Sequence, residues 1–101
     1  MAYTGSEFVT LDEAANWTSK YRATINEGEI ISHYFGREKI EAILNQEDCV
    51  GINIYHGIDD GKKNLILVGT STDEQDMENG ILVEKALPCP PTCRRQNRLN
   101  G

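Results

Sequence analysis

The sequence predicts an α+β fold, with N-terminal helices packed on a small antiparallel sheet of about three strands and an extended C-terminal tail. Three observations carry that prediction. Between Gly36 and Gly69 the apolar period changes: Ile40, Ile43 and Leu44 share a helical face, whereas Val50, Ile52 and Ile54 alternate as on a half-buried strand. A chain of 101 residues that is 39% hydrophobic and 26% charged is large enough to bury one core and has the balance of a globular protein. From Pro88 onward the chain holds all 3 of its prolines and only Leu99 as a large apolar residue after that point, a composition unsuited to a sheet or a packed helix. One domain over residues 1–87, followed by a tail over 88–101, is the expected organisation.

Thr10 followed by Glu13 is a capping-box pattern, and Leu11, Ala14, Ala15, Thr18, Tyr21, Arg22 and Ile25 then trace one helical stripe. A first helix is therefore expected from Leu11 to Ile25, closed near Gly28. Ile30, Ile31, Tyr34 and Phe35 also fall at helical spacing, so residues 29–35 read as further helix, with Gly36 as a bend before a helix over residues 37–46. Tyr21, Tyr34 and Phe35 are expected in the core.

The alternation of Val50, Ile52 and Ile54 places Gly51, Asn53 and Tyr55 on the opposite face of a strand running from Cys49 to Gly57. Asp59-Asp60-Gly61 supplies a reversal, and Leu65-Ile66-Leu67-Val68 marks its antiparallel partner, from Asn64 to Ser71. Gly51 and Gly69 leave room for a bulge or for a helix to approach closely. An acidic loop follows, and a third strand is expected from Ile81 to Leu87, diluted by Glu84, Lys85 and Ala86.

The net charge of −6 is unevenly spread: Arg94, Arg95 and Arg98 are the only charges after Pro88, giving the tail +3 and leaving −9 on residues 1–87. An acidic body repels phosphate backbones, and three arginines without a clustered aromatic face do not make a nucleic-acid module, so no nucleic-acid partner is expected. No apolar run approaches the length of a membrane span, and the opening MAYTGSEFVTLDEAANW lacks the basic and apolar regions of an export signal. The expected compartment is the cytoplasm, with no membrane partner and with the 3 cysteines as reduced thiols.

No set of Ser, His, Asp, Cys or Gly residues has the spacing of a known catalytic or phosphate-binding motif, so no enzymatic activity and no cofactor are expected. His33 and His56 lack a nucleophile or carboxylate at motif spacing. Asp73, Glu74, Asp76 and Glu78 depart from a calcium-loop pattern and read as a solvated turn. Cys89 and Cys93, with Cys49 and either histidine, would form a tetrahedral zinc set, and a local Cys89–Cys93 disulfide is the redox version of the same idea. Against both stands the plain reading that Cys49 is a small buried residue and the tail thiols pack or stay free.

The segments LDEAANWTSKYR (11–22), FGREKIEAILNQEDCVGINIYHG (35–57), LILVGTSTDEQDM (65–77) and CPPTCRRQNRL (89–99) together resemble a group of small bacterial proteins of about 100 residues with a C-terminal CPP-x-C tail. That group has no established activity, so the resemblance implies a self-standing domain with an integral tail and transfers no functional residue.

Two functional readings follow. The favoured one is a non-enzymatic protein-interaction or self-assembly module, a homo-oligomer or partner-binding protein in which the tail docks through Arg94, Arg95 and Arg98, with Trp17 as an aromatic anchor. The alternative is a thiol-based zinc-binding or redox module using Cys89 and Cys93, with Cys49 as a third member.

Overall fold

The computed structural model describes residues 5–101 as an α+β fold of two helices and five strands in two antiparallel sheets, in the order α1 (Leu11–Arg22), β1 (Ser32–Tyr34), α2 (Arg37–Leu44), β2 (Cys49–Asp59), β3 (Lys62–Ser71), β4 (Leu82–Val83) and β5 (Leu87–Cys89). One sheet has the order β2-β3-β4 and the other pairs β1 with β5. The chain divides into two compact units, one built on His33–Leu87 and one combining Ser6–Ser32 with Pro88–Gly101. No helix among the described residues is long and apolar enough to cross a membrane.

In the His33–Leu87 unit, α2 starts at Gly36 as N-cap and packs on β2 and β3. Its Ile43 is fully buried, and Leu67 and Val68 of β3 complete the closed part of the core. β2 and β3 form the expected hairpin, with Asp59 opposite Lys62 and a two-residue turn whose Asp60 and Gly61 both have positive φ (52° and 77°). That is the turn geometry whose twist matches the flanking strands, and glycine reaches it without steric cost. The expected bulge is present: the register shifts between Cys49 and Gly51, leaving Val50 as the extra residue. Gly69 is the expected point of close approach, since a Cβ there would lie 3.0 Å from both Cys49 Sγ and Gln46 Nε2. Gln46 itself joins the end of α2 to the later loop, donating from Nε2 to the Ile43 carbonyl (3.0 Å) and accepting at Oε1 from the Ile81 amide (2.8 Å).

Three expectations are corrected here. Residues 32–34 form strand β1 instead of continuing a helix. The segment is short, Ile30 and Ile31 are β-branched, and the Ile31 N–H donates to the Cys89 carbonyl at 2.7 Å, so pairing with the chain's later part overrides the local period. The third strand shrinks to Leu82–Val83, because Lys85 takes a positive φ of 65° and turns the backbone before β5 begins at Leu87. Tyr21 and Tyr34 are exposed, and Phe35 is only half-buried, so the core is aliphatic.

Candidate functional site

Every side chain singled out as partner-binding (Trp17, Arg94, Arg95 and Arg98) lies in the Ser6–Ser32 and Pro88–Gly101 unit. Its framework is α1. Thr10 caps the helix: its hydroxyl accepts from the Glu13 amide at 3.1 Å, and the Glu13 carboxylate accepts from the Thr10 amide at 3.1 Å, completing the capping box read from the sequence. The bond from the Thr10 backbone, and then the one from its hydroxyl, hold the Glu13 carboxyl below the usual glutamate range. Ala14, Ala15, Thr18 and Arg22 are half-buried along the predicted stripe, yet α1 has no buried residue. It ends three residues before Ile25, where the Ala23 and Thr24 amides turn back to the Ser19 and Tyr21 carbonyls.

The tail is held to this helix by polar groups. Arg22 Nη1 donates to the Leu99 carbonyl at 2.5 Å, and Arg98 Nη2 pairs with Asp12 Oδ1 at 2.6 Å. Within the tail, Asn97 Oδ1 accepts from the Leu99 amide (2.7 Å), while Asn100 Nδ2 donates to the carbonyls of Arg94 and Arg95 (3.2 Å each). These asparagines supply locally the backbone partners that a sheet or helix would otherwise provide.

Cys89 and Cys93 are joined in a disulfide, which corrects the expectation of three reduced thiols. The reason is local: the Thr92 amide donates to the Pro88 carbonyl at 2.8 Å, closing a turn that brings the two Cα atoms to 4.7 Å, within the range a disulfide spans. Cys89 is buried and Cys93 exposed. Cys49 is free and half-buried at the start of β2, in the other unit, with its thiol donating to the Gly51 carbonyl at 3.3 Å. Among the described residues, no three His, Cys, Asp or Glu side chains gather as metal ligands.

Two concavities lie within the α1 and tail unit. The larger, about 650 Å³, is walled by Arg22, Glu27 and Glu29 on one side and by the disulfide, Arg94 and Asn100 on the other. The smaller, about 240 Å³, is an apolar slot formed by Trp17, Thr18, Tyr21, Ile31 and Leu99, with Arg22 at its margin. Trp17 remains 53% exposed there, so it stands at a surface instead of folding over a core edge. Sequence reasoning identified Trp17 and the arginines but missed Tyr21 and Leu99 as its neighbours. The available signal was Leu99, a lone large apolar residue in a polar tail.

Three further groups displaced from their ordinary titration, His33, Tyr55 and Asp76, sit in the His33–Leu87 unit. Asp76 accepts from Asn53 Nδ2 at 3.1 Å and from the Tyr55 hydroxyl, which lowers the Asp76 carboxyl and raises the Tyr55 phenol from their ordinary values. His33 is held below the ordinary histidine value, by partial burial first and by nearby His56 second. These groups are not arranged as nucleophile, base and oxyanion donor. No family model, curated protein or solved structure matches the chain.

Proposed function

We propose that the protein is a non-enzymatic protein-interaction or self-assembly module that docks on an acidic partner surface or a neighbouring copy through the face shared by α1 and the tail. The observation that carries this reading is a helix with no buried residue, whose Trp17 and Tyr21 stay exposed beside Leu99 of the tail. An aromatic pair around a small apolar slot, in the same unit as the exposed Arg94 and Arg95, has the composition of a binding surface with cationic residues to favour an acidic partner. The tail's positive charge favours acidic protein surface, including the acidic body of another copy, and disfavours nucleic acid. The expected setting is the cytoplasm.

The test is cross-linking of the full chain in its native lysate, read at Lys20 on α1 by mass spectrometry. Links from Lys20 to a second polypeptide are expected, and a variant carrying Trp17→Ala, Arg94→Glu and Arg95→Glu should lose them. Links confined to the chain itself would refute this reading.

The disulfide favours a second reading, a thiol-based redox module using Cys89 and Cys93. Thiol counting under native conditions separates the two states. One reactive thiol, Cys49, is expected with the pair oxidised and three after reduction, whereas a count of three that does not fall under mild oxidant would remove the redox reading.

A further inference from the structure

The sheet order places β2 at an edge, with β3 on one side and, among the described residues, no strand on the other. The hairpin turn fixes which backbone groups face that edge. In a two-residue hairpin the closing pair, Asp59 with Lys62, exchanges hydrogen bonds, and bonded and non-bonded pairs then alternate along an antiparallel ladder. Gly57, Tyr55 and Asn53 therefore bond inward to Asn64, Ile66 and Val68, while Ile52, Ile54, His56 and Ile58 turn their N–H and C=O groups outward. No backbone bond outside the strands involves these four among the described residues.

Natural proteins guard such an edge with lysine, proline, an inward charge or a short strand. β2 is 11 residues long, and from Val50 to Ile58 it contains no Lys, Arg, Asp, Glu or Pro. The bulge at Val50 ends the regular edge at one side and Asp59 ends it at the other. Ile54 is 53% exposed and Ile58 76% exposed, on the same face of the strand. The stretch between these limits, Ile52-Asn53-Ile54-Tyr55-His56-Gly57-Ile58, is uncharged at neutral histidine and carries an isoleucine at each end, equally distant from Tyr55.

We infer that β2 pairs with β2 of a second copy, antiparallel about a two-fold axis at Tyr55, to make a continuous six-stranded sheet. In that register Ile52 meets Ile58 of the other copy, Ile54 meets His56, Asn53 meets Gly57, and Tyr55 meets itself. The outward groups of Ile52, Ile54, His56 and Ile58 then form the hydrogen-bonded pairs. The Tyr55 pair falls at the closely spaced non-bonded position. No carboxylate faces a carboxylate, because Asp59 falls opposite Gly51. A different partner strand would satisfy the backbone equally; a second copy is favoured because its register sets Ile52 against Ile58 at both ends and opposes no like charges. This surface is independent of the α1 and tail face, so either can fail without the other.

Light scattering of the full chain should show a dimer, and Ile54→Lys with Ile58→Lys, the device natural edges use against pairing, should raise its dissociation constant by at least about tenfold. Far-UV circular dichroism checks that the double variant is folded. A register test needs no destabilising charge: in a Cys49→Ser background, Tyr55→Cys should oxidise to a covalent dimer, because its own copy lies opposite. Asn53→Cys, which faces Gly57, should not. A monomer at all concentrations, a dimer unmoved by the two lysines in a folded variant, or equal cross-linking at positions 53 and 55 would each overturn the inference.

Discussion

The two units of this chain are held together by different physics. The His33–Leu87 unit rests on aliphatic burial, with Ile43 of α2 and Leu67 and Val68 of β3 closed to solvent. In the α1 and tail unit the only apolar residue so enclosed is Cys89, and the rest of the work falls to a disulfide, an ion pair, an arginine on a carbonyl and asparagines on the tail backbone. The first kind of stabilisation is non-directional and resists salt and reductant. The second is directional and chemically removable, and it leaves apolar side chains available for partners instead of consuming them in a core.

The sharpest way to break the comparison is to attack the core. Ile43→Ala removes the one side chain that is fully enclosed among the described residues and should cost about 2–5 kcal/mol of the His33–Leu87 unit's stability in denaturant titration. Salt and reductant should not reproduce that loss.

The converse experiment reduces the Cys89–Cys93 bond or replaces Cys93 by serine. A bond closing so short a loop contributes roughly 2 kcal/mol on the chain-entropy account, so hydrogen exchange should quicken at Thr92, Ile31 and the tail turns. Amides of β2 and β3 should keep their protection. Equal loosening of both units would erase the distinction drawn here.

A smaller effect comes from the helix start. Thr10→Ala removes the cap of α1 and should cost about 1 kcal/mol, read as faster exchange in the first turn of that helix. The same bond gives a pH signature. Because the Glu13 carboxyl is lowered in the folded chain, its contribution is complete above the ordinary glutamate range and is lost as pH falls through the lowered folded value. First-turn protection should therefore decline in acid in the native chain and lose that decline in Glu13→Gln.

How far the sequence could be read follows the same division. The hairpin, its bulge, its turn and α2 were legible because each is fixed by neighbours within a few residues: an apolar alternation, Asp60-Gly61, and Ile40, Ile43 and Leu44 on one face. The capping box and the half-buried stripe of α1 were legible for the same reason. β1 was read as helix because its strand character comes from pairing with residues more than fifty positions later, which no local period encodes. The third strand was overextended because the positive φ of Lys85 has no marker residue such as glycine. At the candidate site Trp17 and the arginines stood out by type, whereas Tyr21 and Leu99 acquire meaning only when the tail is brought to the helix.

The pairing of α1 with residues 88–101 makes one unit depend on contacts between residues far apart in the sequence. Arg22 reaches the Leu99 carbonyl and Asp12 holds Arg98, so this unit closes only when two stretches separated by the whole of His33–Leu87 meet. Its closure therefore carries a larger entropic cost than that of the β2–β3 hairpin, whose partners are neighbours along the chain.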